Sequence, residues 1–186
     1  MALIVSEDSS SKNYEPLPLG PQQAVCAFVE DIGTHEGSYQ GKPIMRRQIV
    51  VCWELAEKMT KLDNIGKPFM CSKFYTMSLN EKSTLRHDLN AWRGKDMSED
   101  ELKGFDLKTL IGVNCMLNVV EYTKQDGKQS QKIGSIMPPM KNMIKIEPVN
   151  TIAPEWISKK RSESVEAREA PATPHNATAN GDDLPF

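Results

Sequence analysis

The chain lacks the features of several protein classes. No apolar run approaches the length that a transmembrane helix needs. The opening stretch, residues 1–5, is too short to be the apolar core of a signal peptide, and polar and acidic residues follow it. The four cysteines form no C-x-x-C pair and lie in apolar runs, which is typical of buried reduced thiols and not of zinc ligands. We therefore expect a soluble, cytoplasmic protein that needs no metal or other cofactor.

An excess of positive charge is also missing, because the formal net charge is −2. A nucleic-acid site would therefore need a local group of cations. A catalytic constellation is not visible either: Asp and Glu are scattered, and His35, His87 and His175 are far apart in the sequence. The pattern disfavours an enzyme such as a nuclease.

The apolar fraction of 39% is below the usual globular range, so part of the 186 residues should lie outside the core. Residues 1–20 are rich in Ser, Pro and acidic residues, and residues 158–186 contain little that could be buried. Such composition cannot offset the entropy lost on ordering. We predict one folded domain at 21–157 between a disordered N-terminal segment, 1–20, and a disordered C-terminal linker and tail, 158–186.

Hydrophobic periodicity predicts five β-strands in this domain. The clearest strand is 44–55, where apolar residues on one parity indicate a half-buried strand. The glycine-rich stretch 33–41 is predicted to be a loop, and Asp126-Gly127 indicates a hairpin turn. The other predicted strands are 22–32, 68–79, 113–122 and 131–137.

The period changes between the third and fourth predicted strands. Leu85, Leu89 and Trp92 share one face of a predicted helix, with Asn80 as its expected N-cap and Gly94 at its end. A capping box beginning at Ser98 predicts a second short helix, and Asp106 is predicted to cap a further turn. Five strands with a helix between strands 3 and 4 is the order of an OB-fold. We therefore predict an all-β protein with a helical insertion, a five-stranded OB-fold barrel.

An OB-fold binds nucleic acid across its second and third strands and the adjoining loops. Residues 42–53 contain three cations and no acid, and residues 67–80 contain two cations and no acid. Cations bind phosphates by displacing counterions, and aromatic rings stack on bases. The candidate phosphate contacts are Lys42, Arg46, Arg47, Lys73, Lys124, Lys128 and Lys132, and the candidate stacking residues are Tyr39, Trp53, Phe74 and Tyr75.

Several of these candidates have a structural alternative. Trp53 lies on the apolar parity of its strand, which fits core packing better than base stacking. Phe74 and Tyr75 point to opposite faces, so at most one of them stacks, and the hydroxyl group favours Tyr75 at a wet surface. Arg46 is the better phosphate contact, because Arg47 can instead serve as a structural ion-pair partner. Cations on a strand can also simply oppose aggregation.

The last five residues combine charge with an apolar end. Their carboxylates can bind a basic patch, the final aromatic ring can enter an apolar pocket, and the proline restricts the approach. A disordered linker would let them reach a partner. We interpret them as a docking tip for partner proteins, formed by Asp182, Asp183, Leu184, Pro185 and Phe186.

This tip resembles the C-terminal tip of bacterial single-stranded-DNA-binding proteins, which recruits replication and recombination enzymes. Residues 72–83, 89–94 and 104–112 resemble OB-fold single-stranded-DNA-binding proteins of bacteriophages and prophages, across about 18–139. The resemblance implies single-stranded DNA binding without sequence preference and without catalysis. It further implies a role in phage DNA replication or recombination inside a bacterial host cell. An OB-fold adaptor that binds only proteins remains the alternative, and homo-oligomerisation stays open.

Overall fold

The structure is a computed structural model that describes residues 15–166, so the predicted tip at 182–186 lies outside the described residues. The described chain is mostly β, with five antiparallel strands in one sheet and a few helices. The strands are β1 Gly20–Tyr39, β2 Lys42–Lys58, β3 Pro68–Thr76, β4 Asn114–Thr123 and β5 Gln129–Met137. The helices are α1 Thr84–Arg93, α2 Glu99–Lys103 and α3 Glu155–Ser162, with 3₁₀ turns at Leu62–Asn64 and Leu107–Leu110. None of the helices in this part of the chain is long and apolar enough to cross a membrane.

The five predicted strands and the helices between the third and fourth are confirmed. The order across the sheet is β3-β2-β1-β4-β5, which leaves β3 and β5 at the two edges. These edges approach each other, with Cα atoms within 8 Å. Within residues 15–166, however, no strand pairing joins β3 to β5, so the sheet is open where a closed barrel was expected.

The hairpin between β1 and β2 is longer than predicted. The expected loop at 33–41 is wrong, because β1 continues to Tyr39 and turns only at Gln40 and Gly41. Their φ angles of 51° and 78° suit a two-residue hairpin turn. Gly33 lies at a register shift with a φ of 83°, so this glycine marks a β-bulge and not a loop. Beyond this point β1 and β2 project from the sheet as a two-stranded arm, residues 34–47.

The inner face of the sheet packs against α1. The predicted helical face is confirmed, since Leu85, Leu89 and Trp92 are its buried residues. Trp53 is fully buried, and its ring centroid lies 5.6 Å from that of Trp92. The expected N-cap Asn80 was wrong: the helix begins after Ser83, and Asn80 instead accepts a hydrogen bond within the preceding turn.

The other predicted helix ends and the predicted burial of the cysteines are confirmed. Gly94 ends α1 in the left-handed conformation, the Ser98 capping box is formed, and Asp106 caps its 3₁₀ turn. The four cysteines are free and buried, and burial raises the pKa of three of them to about 12. These thiols are therefore protonated at neutral pH. They are Cys26, Cys52, Cys71 and Cys115, and burial raises the pKa of Cys115 as well.

After β5, residues 138–166 return across the outer face of the sheet, and we call them the C-terminal strap. Ile157 of α3 is buried there in a second apolar cluster with side chains from β1 and β2. That cluster contains Ala27, Phe28, Ile32, Val50 and Cys52. The predicted linker begins at residue 158, but α3 continues to Ser162. Hydropathy misses this segment because most of its other contacts are polar, such as the 2.7 Å hydrogen bond that Arg161 donates to the Asp31 carbonyl oxygen.

A buried carboxylate connects the strap to β2. Glu54 is only 1% exposed and lies on the same parity of β2 as Val50 and Cys52. It accepts hydrogen bonds from the backbone amides of Val149 and Asn150 at 2.7 and 2.8 Å, and from the Asn150 side-chain amide at 2.6 Å. These bonds satisfy a charge that would otherwise be costly to bury.

We expect Glu54→Ala to lower the free energy of unfolding by about 2–4 kcal/mol, because it removes a fully buried side chain and three donors of the strap lose their acceptor. Glu54→Gln should cost less, since its amide oxygen still accepts. Glu57→Ala is the control, because Glu57 is exposed on the same strand and should change stability by less than about 0.5 kcal/mol. Urea unfolding measures all three, and equal effects of Glu54→Ala and Glu57→Ala would contradict the anchoring role.

Candidate nucleic-acid interface

Strand β3 sends its candidate residues to opposite faces. Tyr75, the preferred stacking residue from the sequence, is 4% exposed, and its hydroxyl donates a 2.7 Å hydrogen bond to Asp88 of α1. Burial raises the pKa of Tyr75, and the negative charge of Asp88 raises it further. The Lys73 ammonium lies 2.6 Å from the same carboxylate. The preference for Tyr75 is therefore corrected, because α1 covers the inner face and Asp88 binds both side chains there.

The outer face of β3 carries an exposed aromatic pair. Phe74 is 48% exposed, and its ring centroid lies 5.9 Å from that of Trp156, with an angle of 60° between the planes. Trp156 belongs to α3 and is itself 40% exposed. Trp156 was hard to identify from the sequence, because it is an isolated aromatic residue in a mostly polar segment. Phe74 replaces Tyr75 as the stacking candidate of β3.

A groove of about 570 Å³ lies beside Phe74, where β3 leads into the loop before α1. Its lining includes two cations, Arg46 of β2 and Lys82 of the loop, but no carboxylate among the described residues. The backbone amide of Lys82 donates a 3.1 Å hydrogen bond to Asn80, which shapes the loop. The remaining lining residues are Tyr75, Thr76, Ser78, Ser83 and Thr84.

The two arginines of the arm have different surroundings. Arg47 forms an ion pair with Asp31 and donates to it through Nε at 2.9 Å, while a second bond runs from Nη2. The hydrogen bond from Arg47 lowers the pKa of the Asp31 carboxyl group. Arg47 thus has the structural ion pair considered above, whereas Arg46 lines the groove. Lys42 is exposed beside the turn of the arm, and the side chain of Tyr39 lies outside what the structure describes.

The remaining candidates do not line the groove. Trp53 is fully buried in the core, so it offers no surface for stacking, in agreement with its apolar parity. The lysines of the β4–β5 hairpin are exposed, and the Lys132 ammonium lies 5.0 Å from the Tyr122 ring centroid. Lys124 and Lys128 flank the turn of that hairpin.

Comparison with protein-family models and with curated proteins finds no match for this chain. Its function must therefore be argued from the geometry of its surface. Where the chain is described, no group of three or more His, Cys, Asp or Glu side chains could hold a metal ion. The groove instead combines an open aromatic ring with cations and neutral polar groups, which suits a polyanion that carries flat rings.

The assignment of β3 to two faces can be tested by stability. We expect Tyr75→Ala to lower the free energy of unfolding by about 3–5 kcal/mol, because it empties a core position. Phe74→Ala should cost about 1 kcal/mol, because that ring is half exposed and loses little burial. Urea unfolding compares the two variants. If Tyr75→Ala does not fold, Tyr75→Phe should fold with a loss of about 1 kcal/mol from the missing hydrogen bond. Equal losses for the two alanine variants would contradict the assignment.

Proposed function

We propose that the protein binds single-stranded DNA without sequence preference and without catalysis, in the groove beside Phe74. One observation carries this proposal: an exposed phenylalanine lies beside a groove that has two cations, Arg46 and Lys82, and no carboxylate among its described lining residues. The chain as a whole is slightly acidic, so this is a local concentration of positive charge. Phosphates bind such cations, and an unpaired base can stack on the ring.

A single strand fits this surface better than a duplex. Stacking on Phe74 requires an open base face, which paired bases hide inside the helix. Stacking also tolerates every base, since each has a π-face, so the surface favours binding without sequence preference. The resemblance to phage proteins adds the expected setting, which is phage DNA replication or recombination in a bacterial host cell.

The topology of the sheet also supports this function. We propose that the open sheet is an OB-like barrel with a gap between β3 and β5. The strand order β3-β2-β1-β4-β5 and the position of α1 between β3 and β4 are those of an OB-fold. OB-folds bind nucleic acid on strands 2 and 3, and here Arg46 lies on β2 and Phe74 on β3.

An adaptor that binds only protein is the second candidate. The exposed Phe74–Trp156 pair favours it, because aromatic rings are frequent anchors at protein interfaces. The cations in the lining of the adjacent groove, which contains no carboxylate among its described residues, favour nucleic acid instead. Binding of a labelled oligonucleotide distinguishes the two functions.

We expect a fluorescently labelled oligo-dT to bind the full chain, with an affinity that falls as salt rises. Phe74→Ala should weaken binding roughly 5- to 100-fold, since stacking contributes about 1–3 kcal/mol per base. Arg46→Ala should weaken binding. It should also reduce the slope of log affinity against log salt concentration by about 1, as expected for one lost phosphate contact. Fluorescence anisotropy at two salt concentrations measures both effects.

Lys103→Ala is the control, because Lys103 is an exposed cation on α2 that pairs with Asp100. It should leave both the affinity and the salt dependence unchanged. If the full chain does not bind oligo-dT at low salt, the DNA-binding proposal is wrong.

We further propose that residues 182–186 recruit partner proteins of replication or recombination. Their acidic and aromatic side chains support this, since they suit a basic, apolar-floored pocket on a partner. Deleting them should abolish partner capture in a pull-down, while oligo-dT affinity stays the same or increases, because negative charge is removed. Thr178→Ala, in the segment before the tip, is the control and should change neither. Equal loss of both activities would mean that the tip belongs to the DNA site.

A further inference from the structure

We propose that helix α3 forms part of the nucleic-acid site, and that Trp156 stacks on a base next to the one on Phe74. This inference rests on the proposed function and adds a second stacking residue to it. It also assigns a binding role to the C-terminal strap, for which the sequence predicted none.

The exposure of the tryptophans leads to this residue. The chain has three, and Trp53 and Trp92 are buried against each other in the core. Trp156 is 40% exposed although its ring contacts Phe74. At an angle of 60°, the two rings are tilted and not stacked face to face, and each keeps a large exposed fraction. Together they form an open aromatic surface wider than one ring.

The position of Trp156 is fixed by its neighbours in the strap. The next residue, Ile157, is buried between β1 and β2. Arg161, at the other end of α3, donates hydrogen bonds to the Asp31 carbonyl oxygen at 2.7 Å and to Glu30 at 2.9 Å. Burial alone would raise the pKa of Glu30, but the hydrogen bonds from Lys108 and Arg161 outweigh it and lower that pKa. A ring held in this way loses little freedom when a base stacks on it.

The positive charges on α3 also favour contact with nucleic acid. Lys159 is exposed one turn after Trp156, so the two side chains lie on neighbouring positions of one helix face. The other two cations of the last turn have acidic partners, since Lys160 pairs with Glu163 and Arg161 pairs with Glu30. Across residues 15–166, Lys159 has no ion pair. It is therefore available for the phosphate of a base that stacks on Trp156.

The strap also limits the path of the strand. On the outer face of β1 and β2, Phe28, Val50 and Cys52 are buried in the cluster that contains Ile157. A bound strand cannot cross the sheet there while the strap is in place. The open route runs from α3 across Phe74 into the groove towards Arg46. Trp156 and Phe74 then contact successive bases on this route.

Trp156 fluorescence and oligo-dT affinity, both measured on the full chain, test the proposal. Saturating oligo-dT should quench the tryptophan emission, because Trp156 is the exposed indole. Trp156→Phe should abolish this quenching. Trp156→Ala should weaken binding roughly 5- to 100-fold in anisotropy, as expected for a lost stacking residue. Trp156→Phe should restore most of the affinity, since a phenyl ring can still stack.

Ile152→Ala is the matched control, because Ile152 is an exposed apolar residue of the same strap. It should change the affinity by no more than about twofold, as is usual for a surface substitution. Hydrogen exchange of residues 149–162 in Trp156→Ala shows whether the strap stays in place.

The outcomes separate this proposal from the function on which it rests. If the full chain binds oligo-dT but Trp156→Ala binds equally well, α3 is not part of the site, while the DNA-binding function stands. If Trp156→Phe binds as weakly as Trp156→Ala and no quenching is seen, Trp156 does not stack. If the full chain does not bind at low salt, the proposed function and this inference are both wrong.

Discussion

The buried carboxylate of Glu54 holds the C-terminal strap against the sheet. It accepts three hydrogen bonds from Val149 and Asn150, so removal of the strap would leave a charged group without partners in an apolar setting. The strap in turn covers the outer face of β1 and β2 with α3. Because α3 is fixed there, Trp156 lies next to Phe74 at the edge of the covered surface. The aromatic surface that we propose as the binding site therefore depends on a polar contact remote from it.

The alternation of β3 explains why the proposed binding surface carries cations in a slightly acidic protein. On the inner face, Asp88 binds Lys73 and Tyr75, which removes one cation and one aromatic ring from the candidate site. On the outer face, Phe74 stays half exposed, and Arg46 of β2 lines the same groove. The carboxylate of Asp88 thus neutralises Lys73 on the inner face, away from the groove. The described lining of the groove contains none.

Features set by local sequence were predictable, and those set by distant contacts were not. Gly94 and Ser98 mark helix ends through bonds within a few residues, so their motifs were sufficient. The strands followed from periodicity, but the arm was misread because its glycines resemble loop residues. The choice between Phe74 and Tyr75 depended on which face of β3 the following helix, α1, packs against, and that is a tertiary contact. The path of the strap across the sheet was not predicted, because its main anchor is a glutamate, Glu54, whose partners lie far away in sequence.

In our proposal, a single strand of DNA runs across the outer face of β3 and α3. Photo-crosslinking of the full chain to a halogenated oligo-dU, followed by mass spectrometry, tests it most directly, because the crosslinks form with aromatic side chains in contact with the bases. We expect adducts on Phe74 and Trp156. Adducts confined to Tyr122 of the β4–β5 hairpin, or bound oligonucleotide that forms no adduct with either predicted ring, would contradict it.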